Sequence, residues 1–365
     1  MELKERSTSL DAFRGFTIAG MIIVNNPGSW SNIYPQLQHA EWSGWTFTDM
    51  IFPFFLFIVG VSIVFSLSKP ENRNLKKILI RSLLIYAFGF FLSGFPYFNL
   101  SKIRLVGVLQ RISFCYLAVT LIYLNVKSRN VKTIILLFCL IFYWLMMEFY
   151  PVPEVGAGFY DKGKNFSNWL DLQILEGHMW SQTKTWDPEG IFSTLPAIAT
   201  TLFGAFTGEF LQSKLSKEEK TIWIFIAGQL LLFIGLVLDN FIPINKNIWT
   251  TSYSIFMTGW ALTIFSIFYF INDVKYYKWW AKPFVIFGLN SILVFVLSGV
   301  IARLFSLIKI TELESPISLH TFLYQKYFEP LASPINASLL WAISFLSTMY
   351  LVCWILWKKK IFLKI

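Results

Sequence analysis

The chain has 365 residues, is 55% hydrophobic and only 14% charged, and has a mean hydropathy of +0.56. Because a soluble protein of this length needs more charge to cover its surface, this composition excludes an ordinary soluble enzyme and predicts an all-α polytopic membrane protein. The net charge of +10 then indicates basic cytoplasmic loops and no nucleic-acid partner.

Ten segments are apolar enough to span a bilayer, which needs about 20 such residues. They are 9–26, 46–68, 77–95, 105–125, 132–150, 190–211, 221–241, 249–271, 283–305 and 335–357. The first is polar at its start, so we expect it to pack inside the bundle. We predict one bundle that forms a single transmembrane domain over residues 1–365.

The distribution of basic residues predicts the orientation of the spans. If the N-terminus (Lys4, Arg6) is cytoplasmic, the inner connections are short and basic, namely KPENRNLKK, VKSRNVK, QSKLSKEEK, NDVKYYKWWAK and the tail KKKIFLK. The outer connections, such as 151–190 and 309–334, are longer and richer in aromatic residues, proline and acid. Both termini are therefore predicted to be cytoplasmic, and the charged start does not resemble a cleavable signal peptide.

Two other patterns concern packing. The cysteines, Cys115, Cys139 and Cys353, lie in apolar segments and are expected to be buried, and their spacing indicates no metal site. The segment GAFTG, 204–208, has the spacing of close helix contacts and is the one indication of a homodimer face.

The segment QHAEWSGWTFTD places a histidine, His39, in the first outer loop, just before the second span. A neutral imidazole can accept a proton from an amine or attack a thioester, although a loop histidine is more often incidental. Asp49, at the outer end of the second span, is either a favourable charge at a helix start or the partner of a catalytic base, and Glu41 is the other nearby acid. We interpret His178 and His320, in longer outer loops, as surface residues.

Further polar residues lie within or at the ends of spans, where they are costly and often functional. Asp11 and Arg14, three residues apart, indicate a local ion pair. Arg104 and Arg111 are seven residues apart and are expected to share one face of the fourth span, where with Gln110 they either reach lipid phosphates or hold an anionic ligand.

Two sets of hydrogen-bonding residues lie near the ends of other spans. Asn25 and Asn26 end the first span, where asparagine either caps the helix or donates to a developing oxyanion. Asn290 and Ser291, early in the ninth span, indicate hydrogen bonding between helices or a polar contact with a ligand.

Six segments, in order along the chain, resemble the heparan-alpha-glucosaminide N-acetyltransferase family. They are SLDAFRGFTIAGMIIVNN, QHAEWSGWTFTDMIFPFFLFIVGVS, RLVGVLQRI, DPEGIFSTLPAIATTLFGAFTG, IPINKNIWTTSYSIFMTGWAL and FGLNSILVFV. The lysosomal enzyme of this family moves an acetyl group from cytosolic acetyl-CoA to the glucosamine amine of heparan sulfate in the lumen. The resemblance carries its essential histidine to His39 and its asparagine to Asn25. The loop between these two residues differs, with Pro27 in NNPGSW.

The resemblance implies an acetyl-CoA-dependent N-acetyltransferase that acts on an extracytoplasmic amino sugar and needs no metal. His39 would be general base or acetyl carrier, Asn25 would stabilise the oxyanion, and Asp49 or Glu41 would hold the imidazole. Contacts with acetyl-CoA, or with an acidic sugar, are expected from Arg14, Arg104, Gln110, Arg111, Asn290 and Ser291. Since the family has bacterial members, the expected location is a bacterial inner membrane.

The alternative function is transport of N-acetylglucosamine or a related cell-wall sugar, as proposed for some bacterial members. Polar residues inside the bundle and aromatic rings able to stack on sugars favour it. The absence of an evident internal repeat, and a histidine of catalytic type, favour the enzyme.

We predict that Lys69, Lys127, Lys217 and Lys278 face the cytoplasm, because each lies in a basic inner connection. Single cysteine replacements at these positions should resist an impermeant thiol reagent in intact cells and react after permeabilisation. Labelling from outside would contradict the orientation.

Overall fold

The structure, a computed structural model, describes residues 8–311 and 316–363 and is 68% helical. The described residues contain one pair of two-residue strands, β1 Lys309–Ile310 and β2 Ile317–Ser318, in antiparallel register. They form thirteen α-helices: α1 Thr8–Asn25, α2 Phe47–Leu67, α3 Leu75–Gly94, α4 Val108–Asn125, α5 Arg129–Phe149, α6 Phe166–Leu175, α7 Thr194–Leu211, α8 Lys217–Asp239, α9 Thr251–Tyr269, α10 Lys282–Leu289, α11 Ser291–Leu307, α12 Leu319–Tyr327 and α13 Pro334–Lys358. The predicted all-α class is confirmed.

Each of the ten predicted spans overlaps a helix, and two short helices, α6 and α12, lie in connections that were predicted to be outer loops. Among the described residues, six helices are long and apolar enough to cross a membrane: α2, α4, α5, α8, the helix that begins with α9, and α13. The bent pair α10 and α11 would make a seventh. Ten spans and two cytoplasmic termini stay predictions, and Lys4 and Arg6 lie outside the described residues.

The ninth span was predicted as one helix over 283–305, and this was wrong. It is broken between α10 and α11, which are bent by 81°. Asn290 lies at the break with a non-helical backbone, and its buried side chain bonds the C-terminal segment: Nδ2 donates to the Ile361 carbonyl (3.1 Å) and Oδ1 accepts from the Leu363 N–H (3.0 Å). These bonds satisfy the side-chain amide of Asn290 at the break. The apolar pattern of the sequence is continuous here, so it does not indicate a bend.

The chain forms two compact units. The first contains the described residues of 1–39, 46–51 and 271–365, and the second contains 40–45 and 52–270. Within the first unit α1 is largely buried, as its polar start predicted. It approaches α10 so closely that a Cβ on Gly15 would lie 1.6 Å from the Phe284 carbonyl oxygen. Asp11 and Arg14 form the predicted ion pair at 3.0 Å.

Within the second unit α7 packs against residues 52–67 of α2 through glycines. A Cβ on Gly60 would lie 1.9 Å from the Thr201 carbonyl oxygen, and one on Gly204 would lie 2.0 Å from the Phe57 carbonyl oxygen. Gly208 lies against Val61 in the same way. The small residues of GAFTG therefore serve a contact inside the chain, so the homodimer face that they suggested has no support here.

We predict that Gly204→Ala lowers the temperature of thermal unfolding, because the added methyl meets backbone that cannot rotate away. Overpacking of this kind costs about 1–3 kcal/mol. Gly20→Ala is the matched control, since a Cβ there meets the end of the Ile51 side chain at 3.0 Å, which can move. Equal unfolding temperatures for the two purified variants would contradict the tight α2–α7 contact.

Candidate active site

His39 lies at the end of the loop that follows α1, and its imidazole contacts a carboxylate. The distance from Nδ1 to Asp49 Oδ1 is 2.6 Å. Half of the His39 side chain is exposed (49%), whereas that of Asp49 is buried (1%). An exposed base with a buried partner can contact a substrate, while the buried partner fixes the orientation of the base.

The second oxygen of Asp49 caps the helix that carries it. Oδ2 accepts from the backbone N–H of Thr46 and from its hydroxyl, both at 3.1 Å, as the third residue of a helix does in a capping box. Thr46 Oγ1 also contacts the Gln38 carbonyl oxygen at 2.5 Å. Both predicted positions of Asp49, at the helix start and beside His39, are confirmed, and the cap links it to the residue before the histidine.

The contact determines the tautomer of the histidine. An ionised carboxylate only accepts hydrogen bonds, so Nδ1 carries the proton that it shares with Asp49. The lone pair of the neutral ring is then on Nε2. That nitrogen is the one able to take a proton from an amine or to attack a carbonyl carbon.

The other two predicted catalytic residues are both exposed. Asn25 is the last residue of α1, as predicted. Glu41 lies in the second unit, two residues beyond His39. The carboxylate that the structure brings onto the imidazole is that of Asp49.

The predicted ligand contacts of the first unit lie near the start of α1 and at the α10–α11 break. Arg14 Nη1 donates to Asp11, and its side chain is 15% exposed. Asn290 bonds the C-terminal backbone, and Ser291 is the half-buried first residue of α11.

The second unit contains a buried charge cluster, formed by Arg104, Arg111, Asp171, Asp187 and Glu189. Arg104 Nε donates to Asp187 Oδ2 at 2.8 Å, and its Nη2 donates to Asp187 Oδ1 and, at 2.5 Å, to Glu189 Oε2. Both carboxylates are almost fully buried. Burial lowers the pKa of Arg104, but these two carboxylates more than offset that effect and the net shift is upward.

Arg111 is fully buried in α4. Its Nη2 donates to the Gly190 carbonyl (3.0 Å) and to Ser193 Oγ (2.5 Å), and its guanidinium lies 5.1 Å from the centre of the Trp249 ring. Among the residues that the structure describes, its Nε and Nη1 have no hydrogen-bond partner. This side of the guanidinium can therefore bind a further acceptor.

Asp171, on α6, lies against Gly190. A Cβ at position 190 would lie 1.9 Å from Asp171 Oδ2, so only glycine fits there. Asp171 Oδ1 accepts from the Ile191 N–H at 2.9 Å. Burial raises the pKa of Asp171 to about 7. Burial also acts to raise the pKa of Glu189, but Arg104, Lys246 and Arg111 overcome this and lower it.

Two interpretations from the sequence were wrong, one about the two arginines and one about the other two histidines. Arg104 does not share a helix face with Arg111, because α4 begins only at Val108. His178 and His320 are half-buried rather than surface residues: His178 Nδ1 lies 2.8 Å from the Ile103 carbonyl oxygen and His320 Nε2 lies 3.4 Å from that of Pro27.

The remaining predicted residue, Gln110, is buried and donates to Ser93 Oγ at 3.4 Å. It therefore faces α3. Within 8–311 and 316–363, no three or more His, Cys, Asp or Glu side chains are arranged so that they could hold a metal ion.

The model of one protein family, described as heparan-alpha-glucosaminide N-acetyltransferase, catalytic, matches residues 6–242. The chain belongs to this family. The matched region contains the His39–Asp49 contact and the whole buried charge cluster, whereas Asn290 and Ser291 lie outside it.

Two relatives extend the similarity beyond the matched region. The chain is 29% identical over 422 residues to heparan-alpha-glucosaminide N-acetyltransferase from Homo sapiens, which covers 100% of the chain and 60% of that protein. The mouse protein of the same name is 28% identical over 419 residues, which covers 99% of the chain and 60% of the relative. The chain thus spans 60% of the length of the relatives that it matches.

The acids of the buried charge cluster were missed by the sequence analysis. Asp187 and Glu189 lie in DPEG, which carried the family resemblance but was not examined for charge. The available signal was two acids just before one predicted span and two arginines around the start of another. Asp171 had no local signal, because it lies within a connection of ordinary polarity.

Asp171 predicts a pH dependence of stability. Because its pKa of about 7 exceeds the value of 3.8 for an ordinary aspartate, the folded protein binds a proton between these values that the unfolded chain does not. Stability from this group therefore decreases as pH rises from about 4 to 7. Asp171→Asn keeps an oxygen for Ile191, so we expect its unfolding temperature to fall less over this range.

The control is Asp161→Asn, at an exposed aspartate of the same connection, which should follow the wild-type curve. If the unfolding temperatures of wild type and Asp171→Asn changed with pH in parallel, the titration of Asp171 would be contradicted.

Proposed function

We propose that the chain is a transmembrane N-acetyltransferase that moves an acetyl group from cytosolic acetyl-CoA to the amine of an extracytoplasmic amino sugar of glucosamine type. The observation that carries the proposal is the contact between His39 and Asp49 within the matched catalytic region. The proposed orientation puts this pair at the outer mouth of the first two spans. A membrane-impermeant donor made inside and an acceptor outside would meet there.

In direct transfer, the amine nitrogen attacks the thioester carbonyl while His39 Nε2 takes the proton of the nitrogen. The C–N bond forms, the C–S bond breaks, and the CoA thiolate recovers the proton from the imidazolium. Asp49 stabilises the imidazolium through Nδ1. Asn25 is proposed to donate to the oxyanion.

In the two-step route, His39 Nε2 attacks the thioester itself, and acetyl-imidazole forms as the CoA thiolate leaves. The amine then attacks the same carbonyl carbon, the C–N bond to the imidazole breaks, and the freed Nε2 takes the amine proton and passes it to the CoA thiolate. Asp49 has the same role in both routes: it stabilises the imidazole ring, which becomes more positive as the transition state forms in each. Glu41, on the exposed part of the loop, is proposed as a second acid near the incoming ammonium.

Contacts with acetyl-CoA are proposed at both predicted faces of the membrane. Arg14, Asn290 and Ser291 lie at the predicted inner ends of their helices. Arg104, Gln110 and Arg111 lie at the predicted outer end of α4, where a CoA phosphate or an acidic sugar is the proposed ligand. The unpartnered Nε and Nη1 of Arg111, although buried, support this role more strongly than Arg104, whose guanidinium already donates to two carboxylates.

The decisive assay supplies purified protein in vesicles with labelled acetyl-CoA and glucosamine. We expect acetyl transfer in the wild type, and His39→Ala should lower its rate by about 10²–10⁴. Acetyl-CoA affinity should be kept, because a half-exposed loop side chain contributes little packing. His178→Ala is the matched control histidine. Sugar uptake without CoA and without acetyl transfer would favour the transporter, and a folded His39→Ala variant of wild-type rate would remove His39 from the mechanism.

Arg111→Lys should weaken acetyl-CoA binding about tenfold if its unpartnered Nε and Nη1 bind a phosphate, because lysine keeps the charge but loses the planar pair of donors. Arg104→Lys should change acetyl-CoA affinity less, because Asp187 and Glu189 keep a cation as their partner. Calorimetric titration of each folded variant with acetyl-CoA measures the two affinities. Unchanged acetyl-CoA affinity in both variants would mean that the two arginines serve only the buried charge cluster and do not bind acetyl-CoA.

A further inference from the structure

We propose that the start of α13 and the helix α12 hold the loop that ends in His39, and that Ser338, Asn336 and Tyr324 are positioning residues for this histidine. The loop, residues 26–39, is called the His39 loop below. All the contacts involved lie within the first unit. The positioning residues lie beyond residue 242, where the match to the catalytic family model ends. The inference rests on the proposed function, because it concerns the placement of the proposed base.

Ser338 holds the first part of the His39 loop by its backbone and its side chain. The Gly28 N–H donates to the Ser338 carbonyl (3.2 Å), and the Ser29 N–H donates to Ser338 Oγ (3.0 Å). The same hydroxyl donates to the Ser29 carbonyl at 3.2 Å. Ser338 is 2% exposed, so these bonds are shielded from water.

Steric fit restricts the same part of the loop. A Cβ on Gly28 would lie 2.5 Å from the Tyr324 ring and 3.0 Å from the Ser338 Cα, so the loop can lie this close to α12 and α13 only with glycine there. The Tyr324 ring is buried (6% exposed). The neighbouring Pro27 carbonyl contacts His320, whose ring packs on Trp341 of α13 at 4.8 Å.

The second part of the loop is held at two points before His39. The Tyr34 hydroxyl donates to Asn336 Oδ1 at 2.5 Å. Within a short 3₁₀ turn over Pro35–Leu37, Gln36 accepts from the Phe47 N–H (3.2 Å) and the Thr48 hydroxyl (3.3 Å) at the start of α2. The His39 loop is therefore fixed by α13 over residues 28–34 and by α2 over residues 36–38.

The attachments of the His39 loop to α2 and to α13 have different roles. The start of α2 supplies Asp49, which orients the imidazole, whereas α13 limits where the loop can lie. A base must be placed to within a fraction of an ångström, and a displacement of about 1 Å can cost roughly 10²-fold in rate. The geometry therefore assigns to α13 a part in the placement of His39 without contact with the reacting atoms.

The test compares Ser338→Ala and Tyr34→Phe with Ser347→Ala. Ser338→Ala removes both bonds of the hydroxyl, and Tyr34→Phe removes a bond at an exposed site, where misfolding is not expected. Ser347 is the matched control on α13, since its exposed hydroxyl donates to the carbonyl of Ile343 in its own helix. We expect kcat to fall about tenfold to a hundredfold in Ser338→Ala, with KM for acetyl-CoA changed less than about twofold.

Hydrogen exchange of the peptide 26–39, in the full chain without substrates, measures the attachment independently of activity. We expect faster exchange in Ser338→Ala and Tyr34→Phe but not in Ser347→Ala. Unchanged exchange in both would overturn the attachment, and faster exchange with wild-type kcat would overturn the positioning role. A wild-type protein without acetyl transfer would overturn the proposed function, and the exchange data would still decide the attachment.

Discussion

The carboxylate of Asp49 is the group on which the candidate site depends, because its two oxygens serve two structures. Oδ2 caps the first turn of α2 and Oδ1 meets His39. The helix start thus fixes the orientation of the carboxylate, and the carboxylate fixes the ring. Because Thr46 also bonds the Gln38 carbonyl, the loop closes onto the same turn. A base held in this way has its tautomer selected by the same carboxylate that caps the helix, while about half of its side chain stays exposed.

The buried charge cluster shows how a largely apolar chain accommodates five ionisable groups. Arg104 is surrounded by the oxygens of Asp187 and Glu189, and burial without such partners would be costly. Arg111 lies between the Gly190 carbonyl, Ser193 and the face of Trp249. The cluster fixes the segment before α7 to the start of α4 within the second unit, whatever ligand it also binds.

Much of the fold could be predicted from the sequence, because a membrane span is defined by composition over many residues. The ion pair of Asp11 with Arg14 followed from helical spacing, and the placement of Asp49 near the His39 loop followed from its position at the start of the second span. The break at Asn290 could not be predicted, since it depends on backbone groups of residues 361 and 363, more than seventy positions away. The partners of Arg104 were missed for a related reason: the charges are visible in each segment, but nothing local indicates that residues 83 positions apart meet.

The site residues themselves divide in the same way. A family resemblance pointed to His39 and Asn25, and physical reasoning pointed to Asp49, but neither indicated that residues of α12 and α13 contact the His39 loop. GAFTG was informative about close packing and silent about its partner, which proved to be α2 of the same chain. Short motifs thus identified the kind of interaction, whereas the identity of the partner required the three-dimensional arrangement.

The close approach at Gly28 has a consequence for how related sequences diverge. The space that a side chain at position 28 would need is occupied by the ring of Tyr324, almost three hundred residues later in the chain. Neither position can change size freely while the other stays the same. Among relatives as distant as the human protein, at 29% identity, a larger residue at 28 should therefore be accompanied by a smaller one at 324. The two positions should covary although they lie on opposite sides of the boundary where the catalytic family model ends.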